Sequence, residues 1–135
     1  MRLNIHTDGA CWGNPGPAAI GAVIKDEQQK ELVSISQYIG RGTNNQAEYQ
    51  AVIAALKAAL KFKAAEVILN LDSELVVRQL AGSYRVKSAL LRPLYTEAIA
   101  LSKRFARLSV IHVRREENTE ADALAQAALN RFLKK

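Results

Sequence analysis

Four carboxylates in this sequence stand where folded chains place working acids. Asp8 and Asp72 each close a short run that reads as a β-strand, and Glu48 and Asp122 each fall in the opening turns of a helical pattern. In open α/β sheets, sites assemble at the carboxyl ends of strands, and helix N-termini share that edge, so the four acids are expected to converge. Like charges so close oppose joint ionisation, and divalent cations remove the penalty. Hard oxygen ligands select Mg²⁺ or Mn²⁺ over zinc. Two such ions about 4 Å apart activate a water on one side of a phosphodiester and stabilise the leaving oxygen on the other, so the chemistry on offer is phosphoryl hydrolysis. Each acid taken alone also has a structural use, Asp8 and Asp72 as turn or cap residues, Glu48 and Asp122 as complements to a helix dipole.

The elements that must position these acids follow from periodicity. Leu3, Ile5 and Thr7 alternate with Asn4, His6 and Asp8, which predicts a strand stopping at Asp8, before Gly9 and the turn Gly13-Asn-Pro-Gly-Pro17. Ala19–Lys25 and Glu31–Gln37 are β-compatible, and the polar stretch between them suits an antiparallel hairpin. Thr43-Asn-Asn-Gln46 has the spacing of a capping box. Ala51, Val52, Ala55, Leu56, Ala59 and Leu60 follow it at helical intervals, predicting a helix of about 18 residues with Glu48 in its first or second turn. Val67–Leu71 reads as a strand buried on both faces, parallel to an earlier one and ending at Asp72.

Ser73 then caps a short helix through Leu80 that stops at Gly82, and Ser83–Ser88 is a linker. Leu91, Leu94, Tyr95, Ala98, Ile99, Ser102 and Phe105 share one helical face, on a helix beginning near Pro93. Ser109–Val113 is a fifth strand, with His112 inside it as a structural residue. Asn118–Asp122 opens a last helix with the stripe Ala121, Leu124, Ala125, Ala128, Leu129 and Phe132. The order β-β-β-α-β-α-α-β-α predicts an α/β fold, a five-stranded mixed sheet (three antiparallel strands, then two parallel) flanked by helices.

Composition narrows the class. A chain of 135 residues, 49% hydrophobic, is long enough to bury one core. Nineteen Lys and Arg against thirteen Asp and Glu leave a net charge of +6, which makes an anionic partner the expectation, nucleic acid first. Cys11 is the sole cysteine, which excludes an intrachain disulfide and a zinc finger and suits a reducing compartment. No apolar run approaches the roughly 18 residues of a membrane span, so a soluble, cytoplasmic protein is expected; no obligate protein partner is implied, and a monomer is expected. His6 has no partner at metal-ligand spacing and is assigned no chemistry.

The text around the acids is more specific. Thr7-Asp8-Gly9-Ala10-Cys11 through Gly13-Asn14-Pro15-Gly16-Pro17, then Thr43-Asn44-Asn45-Gln46-Ala47-Glu48, then Asp72-Ser73, then Glu117-Asn118-Thr-Glu-Ala-Asp122 resemble the type 1 ribonuclease H family in order and spacing over nearly the whole chain. The resemblance implies a single catalytic domain over 1–135 with the ribonuclease H-like fold. It implies an endonuclease that uses two Mg²⁺ (or Mn²⁺) ions to hydrolyse the RNA strand of an RNA/DNA hybrid, leaving 5′-phosphate and 3′-hydroxyl ends. Asp8, Glu48, Asp72 and Asp122 match the family's metal-binding catalytic acids, with Asp8 and Asp72 on the central ion, Asp122 on the second, and Glu48 also facing the 2′-hydroxyl that marks RNA.

By the same resemblance, Asn14, Asn44 and Asn45 meet the hybrid's minor groove, while Thr43 and Arg41 hold a phosphate of the DNA strand. Turn chemistry for Asn14 and capping for Thr43, Asn44 or Asn45 are compatible structural accounts. Three departures from the pattern matter. Glu74 stands where relatives often have a substrate-contacting amide. A histidine-bearing loop before the last acid is missing, which leaves Arg115 as the candidate for an electrostatic or product-release role, or as a solvated surface residue. The basic protrusion between Gly82 and Leu94 is reduced to Arg85, Lys87 and Arg92, as in short, archaeal-type members, for which double-stranded RNA stays open as a second substrate. Trp12 is expected to pack over the glycine-rich turn rather than stack on a base. Lys134 and Lys135 are expected as a frayed end or a substrate contact. A catalytically silent hybrid-binding module of the same fold is the alternative; it predicts a lost acid, and none is lost.

Overall fold

In the computed structural model, which describes residues 1–134, the alternating Leu3, Ile5 and Thr7 are fully buried on one side of β1 (Arg2–Cys11). Lys135 lies outside the described residues. The strand does not stop at Asp8 but runs on to Cys11, and its neighbours explain why. On one side β1 pairs in parallel with β4 (Glu66–Leu71) only as far as Thr7 opposite Leu71, while on the other it pairs antiparallel with β2 (Gly16–Lys25) through Cys11 opposite Ala18. Asp8 therefore sits where β1 loses one partner and keeps the other.

β2 and β3 (Glu31–Gly42) form the expected hairpin, longer than read because Gly16 opposite Gly42 and Pro17 opposite Arg41 remain paired. β5 (Arg107–His112) adds in parallel beside β4, giving the order β3-β2-β1-β4-β5. Val113 follows the strand rather than ending it, though its N–H still donates to the Leu71 carbonyl (2.8 Å).

Helices cover both faces. α1 (Asn44–Ala59) starts at a complete capping box: Thr43 Oγ1 accepts from the Gln46 N–H (3.1 Å) and Gln46 Oε1 from the Thr43 N–H (2.8 Å). It closes in a 3₁₀ turn, Leu60–Phe62, rather than continuing as α-helix. α2 (Glu74–Leu80) is capped by Ser73, whose Oγ accepts from the Val76 N–H (3.3 Å). α3 (Arg92–Ser102) has Pro93 in its first turn. Phe105, read as part of that helix, lies beyond its end yet is buried. The main core joins Leu3, Ile5, Leu69 and Val67 of the sheet to Val52, Ala55 and Leu56 of α1 and Ala98 of α3. The buried Tyr49 hydroxyl donates to Gln79 Oε1 (2.6 Å) and clamps α1 to α2.

α4 (Thr119–Leu133) covers the other face through a smaller core of Ala10, Ala19, Ala125, Ala128 and Leu129. Phe132, expected in that stripe, is instead exposed at the rim, stacked on Tyr38 with centroids 3.9 Å apart. Among the described residues, no helix is long and apolar enough to cross a membrane.

Candidate active site

Two glycines let helix backbone approach the sheet closely enough to deliver acids to one place. A Cβ on Gly9 would lie 2.7 Å from Ala47 and from the Glu48 nitrogen, so α1 rests directly on β1 and seats Glu48 beside Asp8. The Gly9 N–H donates to Asp8 Oδ1 (3.0 Å) and Glu48 Oε1 (3.2 Å). Gly21 faces Asp8 across the β1–β2 ladder, and a Cβ there would lie 2.1 Å from the Ala121 carbonyl and 2.5 Å from the Ala125 nitrogen. The start of α4 is thereby pressed onto β2 and brings Asp122 to the same edge.

Asp72 follows β4 directly, next to the point where β1 and β4 part. One carboxylate oxygen from each of Asp8, Glu48 and Asp72 lies within 4.8 Å of the others. Asp122 stands outside that closest trio but lines the same cleft. All four acids line a single cleft of about 370 Å³, with Asn44, Asn45, Ser73, Arg115 and Gln126 on its walls.

The electrostatics of this cluster are set by burial and by the mutual repulsion of its acids. Burial first, then the Glu48 and Asp72 charges, hold the Asp8 carboxyl far above the usual carboxylate range. Glu48 is raised as well, chiefly by burial and further by Asp72, while its contact with Asp8, the Gly9 N–H and the Arg115 guanidinium pull the other way. Bare, the Asp8–Glu48 pair retains protons as a unit. A compact set of hard carboxylate oxygens whose charges burial and mutual repulsion disfavour fits a hard divalent cation.

The remaining candidates divide. Arg115 begins a 3₁₀ turn, Arg115–Glu117, in the short connection from β5 to α4, and lines the cleft. His112, the last residue of β5, is exposed and not part of the cleft wall. Asn14 Oδ1 accepts from the Asn44 N–H (3.0 Å), which ties the proline-rich turn to the start of α1. Asn14, Thr43 and Asn45 line a second groove of about 300 Å³ with Ser88, Leu90 and Leu91, and Asn45 belongs to both grooves. Arg41 is exposed near the end of β3 and lines neither. Glu74 faces solvent, 3.9 Å from Arg78.

Trp12 does not pack over its turn: 66% of it is exposed, and the turn closes through its own backbone, from the Trp12 N–H to the Pro17 carbonyl (2.8 Å). Two residues at the site are given no functional role by the sequence. Gln126 lies four after Asp122, a helical spacing that puts it on the same face and was the available signal. Asn118 was read as the opening of α4, yet its side chain makes no cap. It is buried, and Nδ2 donates to the Thr7 carbonyl (2.9 Å) and to Asp72 Oδ2 (3.3 Å).

Residues 6–128 match the family model described as reverse transcriptase-like. The chain belongs to this family. Its type 1 ribonuclease H character is carried by the relatives it matches. It is 44% identical over 131 residues to a bifunctional protein of Mycobacterium tuberculosis, covering 96% of this chain and 36% of that one. It is 43% identical over 129 residues to ribonuclease HI of Halobacterium salinarum, covering 96% of this chain and 65% of the relative. The chain thus spans about a third of the mycobacterial protein and just under two thirds of the halobacterial one.

Solved structures agree with this type 1 ribonuclease H assignment. The N-terminal ribonuclease H domain of the mycobacterial protein superposes with a TM-score of 0.93 at 43% identity, covering 96% of this chain and 99% of that one. The Halobacterium salinarum ribonuclease H1 gives 0.93 at 43%, covering 97% and 99%. A ribonuclease H1 solved with an RNA/DNA hybrid gives 0.92 at 40%, again covering 97% and 99%. The five-stranded sheet and its order are those of the ribonuclease H fold.

Proposed function

We propose that this chain is a metal-dependent endoribonuclease that hydrolyses the RNA strand of RNA/DNA hybrids, leaving 5′-phosphate and 3′-hydroxyl ends. The observation that carries this reading is the convergence of Asp8, Glu48 and Asp72 within 4.8 Å, with Asp122 on the same cleft. The similar ribonuclease H1 solved with an RNA/DNA hybrid supports the substrate class.

Asp8, Glu48, Asp72 and Asp122 would hold two Mg²⁺ or Mn²⁺ ions. Bound there, such ions supply Lewis acidity that lowers the pKa of an attacking water and offsets charge on the phosphodiester. The chain's own groups do the rest. Glu48, on the first turns of α1, faces the ribose 2′-hydroxyl, the group that separates RNA from DNA. The amides of Asn14, Asn44 and Asn45 read minor-groove shape rather than sequence. Thr43 Oγ1 accepts the cap hydrogen bond and keeps its own hydrogen for a DNA-strand phosphate, with Arg41 as a flanking charge. Arg115 keeps a fixed positive charge at the cleft, acting on phosphate or product since it cannot serve as a base. Double-stranded RNA stays open as a second substrate, and in this reading the enzyme works as a cytoplasmic monomer.

The test is cleavage of one labelled strand in matched RNA/DNA, RNA/RNA and DNA/DNA duplexes under Mg²⁺, Mn²⁺ or chelator, wild type beside Asp72→Asn. Metal-dependent cutting of the hybrid's RNA, lost in Asp72→Asn, is expected. Cutting of RNA/RNA in the same assay decides the second substrate, and hybrid binding without cutting under either metal would overturn the enzyme reading.

A further inference from the structure

Asn118 is an expensive residue to bury. It is 1% exposed, its Oδ1 has no hydrogen-bond partner among the described residues, and the neighbouring Thr7 Oγ1 is orphaned as well. Buried polar atoms are almost always satisfied, so an exception calls for a reason. Capping α4 is not that reason, because the side chain makes no cap bond.

What the amide does is span the split in the sheet. Thr7 and Leu71 are the last β1–β4 pair, after which Asp8 continues in β1 and Asp72 turns away from β4. Asn118 Nδ2 bridges that fork, giving one hydrogen to the Thr7 carbonyl (2.9 Å) and the other to Asp72 Oδ2 (3.3 Å). Its main chain works in the other direction: the Asn118 carbonyl accepts from the Asp122 N–H (3.1 Å), and the Asn118 N–H donates to the Arg115 carbonyl (3.0 Å). One buried residue thus fixes the peptide before Asp8, the carboxylate of Asp72, the backbone of Asp122 and the turn that presents Arg115.

We infer that Asn118 is the positioning residue of the carboxylate cluster, setting its affinity for divalent cations by pinning Asp72 relative to Asp8 and Asp122 without touching substrate. A carboxylate with one oxygen held by an immobile donor presents the other along a fixed direction, and outer partners of this kind govern how tightly a metal is held. This inference rests on the metal-dependent reading above.

The test is calorimetric titration of Mg²⁺ and of Mn²⁺ into wild type and Asn118→Ala, with thermal melts in chelator and hybrid KM measured at saturating metal. Asn118→Ala is expected to weaken metal binding by roughly 10- to 100-fold, with hybrid KM at saturating metal unchanged and turnover recovered as metal is raised. A purely structural asparagine would lower the melting temperature and leave metal affinity alone, and that result overturns the inference. Should Asn118→Ala not fold, the wild type still decides. Its Asn118 side-chain NH₂ resonances should shift on Mg²⁺ titration with the calorimetric midpoint, and resonances that stay put overturn the inference. A wild type that takes up metal and cleaves, beside an unchanged variant, sinks this inference alone, whereas a wild type that takes up no metal removes the reading beneath it as well.

Discussion

Asp8 is the residue on which the site's chemistry and the protein's stability pull in opposite directions. Its carboxyl is held far above the ordinary value of 3.8, by burial first and by Glu48 and Asp72 next. Above that ordinary value the folded protein binds a proton that the unfolded chain has released. Its stability must therefore fall as pH rises through the window between the two values. In chelator, the urea midpoint is expected to drop between about pH 5 and about pH 8, and the drop should flatten in Asp8→Asn or when Mg²⁺ replaces the proton. A flat wild-type profile in chelator would mean the cluster is not strained. Arg115 is the counterweight: it lowers Glu48 and lines the cleft, with no carboxylate within ion-pair distance among the described residues. Arg115→Ala is expected to cut turnover by up to ~10²-fold. Turnover and hybrid affinity both unchanged would return Arg115 to the role of a surface residue.

At the scale of elements, the site is made by two helices pressed onto strands at Gly9 and Gly21. Gly21→Ala puts a methyl 2.1 Å from the Ala121 carbonyl, a backbone atom that cannot step aside without moving the helix. The expected result is a destabilisation of about 1–3 kcal/mol, read by urea denaturation, with a fall in kcat as Asp122 is displaced with α4. Loss of stability with kcat intact would show that α4 tolerates the shift. Thr43→Ala removes one half of the capping box and should cost about 1 kcal/mol.

This is also where the sequence was read best and where it failed. The capping box, the Ser73 cap, the Pro93 start and the alternation in β1 are local signals carried by adjacent residues, and each holds in the fold. The continuation of β1 past Asp8 and the placing of Phe132 at the rim depend on partners far away in the chain. Gly9 and Gly21 were visible as glycines, but what each makes room for is a helix some 40 and 100 residues further on, as the contacts with Ala47 and Ala121 show. Glu48, Asp72 and Asp122 were legible because strand ends and helix starts share an edge, whereas Asp8 reaches that edge from inside β1, where the pairing with β4 stops. Asn118 was not legible, because an asparagine before a helix reads as a cap, and only the fold shows its amide turned to Asp72 instead.

At the scale of the whole molecule, the net charge is +6, and among the described residues no helix or strand lies between Leu80 and Arg92 to concentrate it. The segment from Gly82 to Arg92 instead passes between two grooves. Ser88, Leu90 and Leu91 line the one that holds Asn14 and Asn45, and Arg85 and Arg92 line another, of about 530 Å³, with Tyr84 and Tyr95. Under the proposed function, these cations are the candidates of this segment for a strand backbone of the hybrid. Each phosphate neutralised releases condensed counterions, so affinity should fall steeply with salt, and each cation removed should reduce the log–log slope by about 1. Replacing Arg85, Lys87 and Arg92 together by Ala is therefore expected to lower the slope by roughly three, with cleavage at low salt preserved because none of the three lines the carboxylate cleft. An unchanged slope would place the segment outside the footprint and leave the grip to cations elsewhere on the surface. A reduced slope would mean that three scattered side chains, standing where longer relatives have a basic protrusion, take over part of its work.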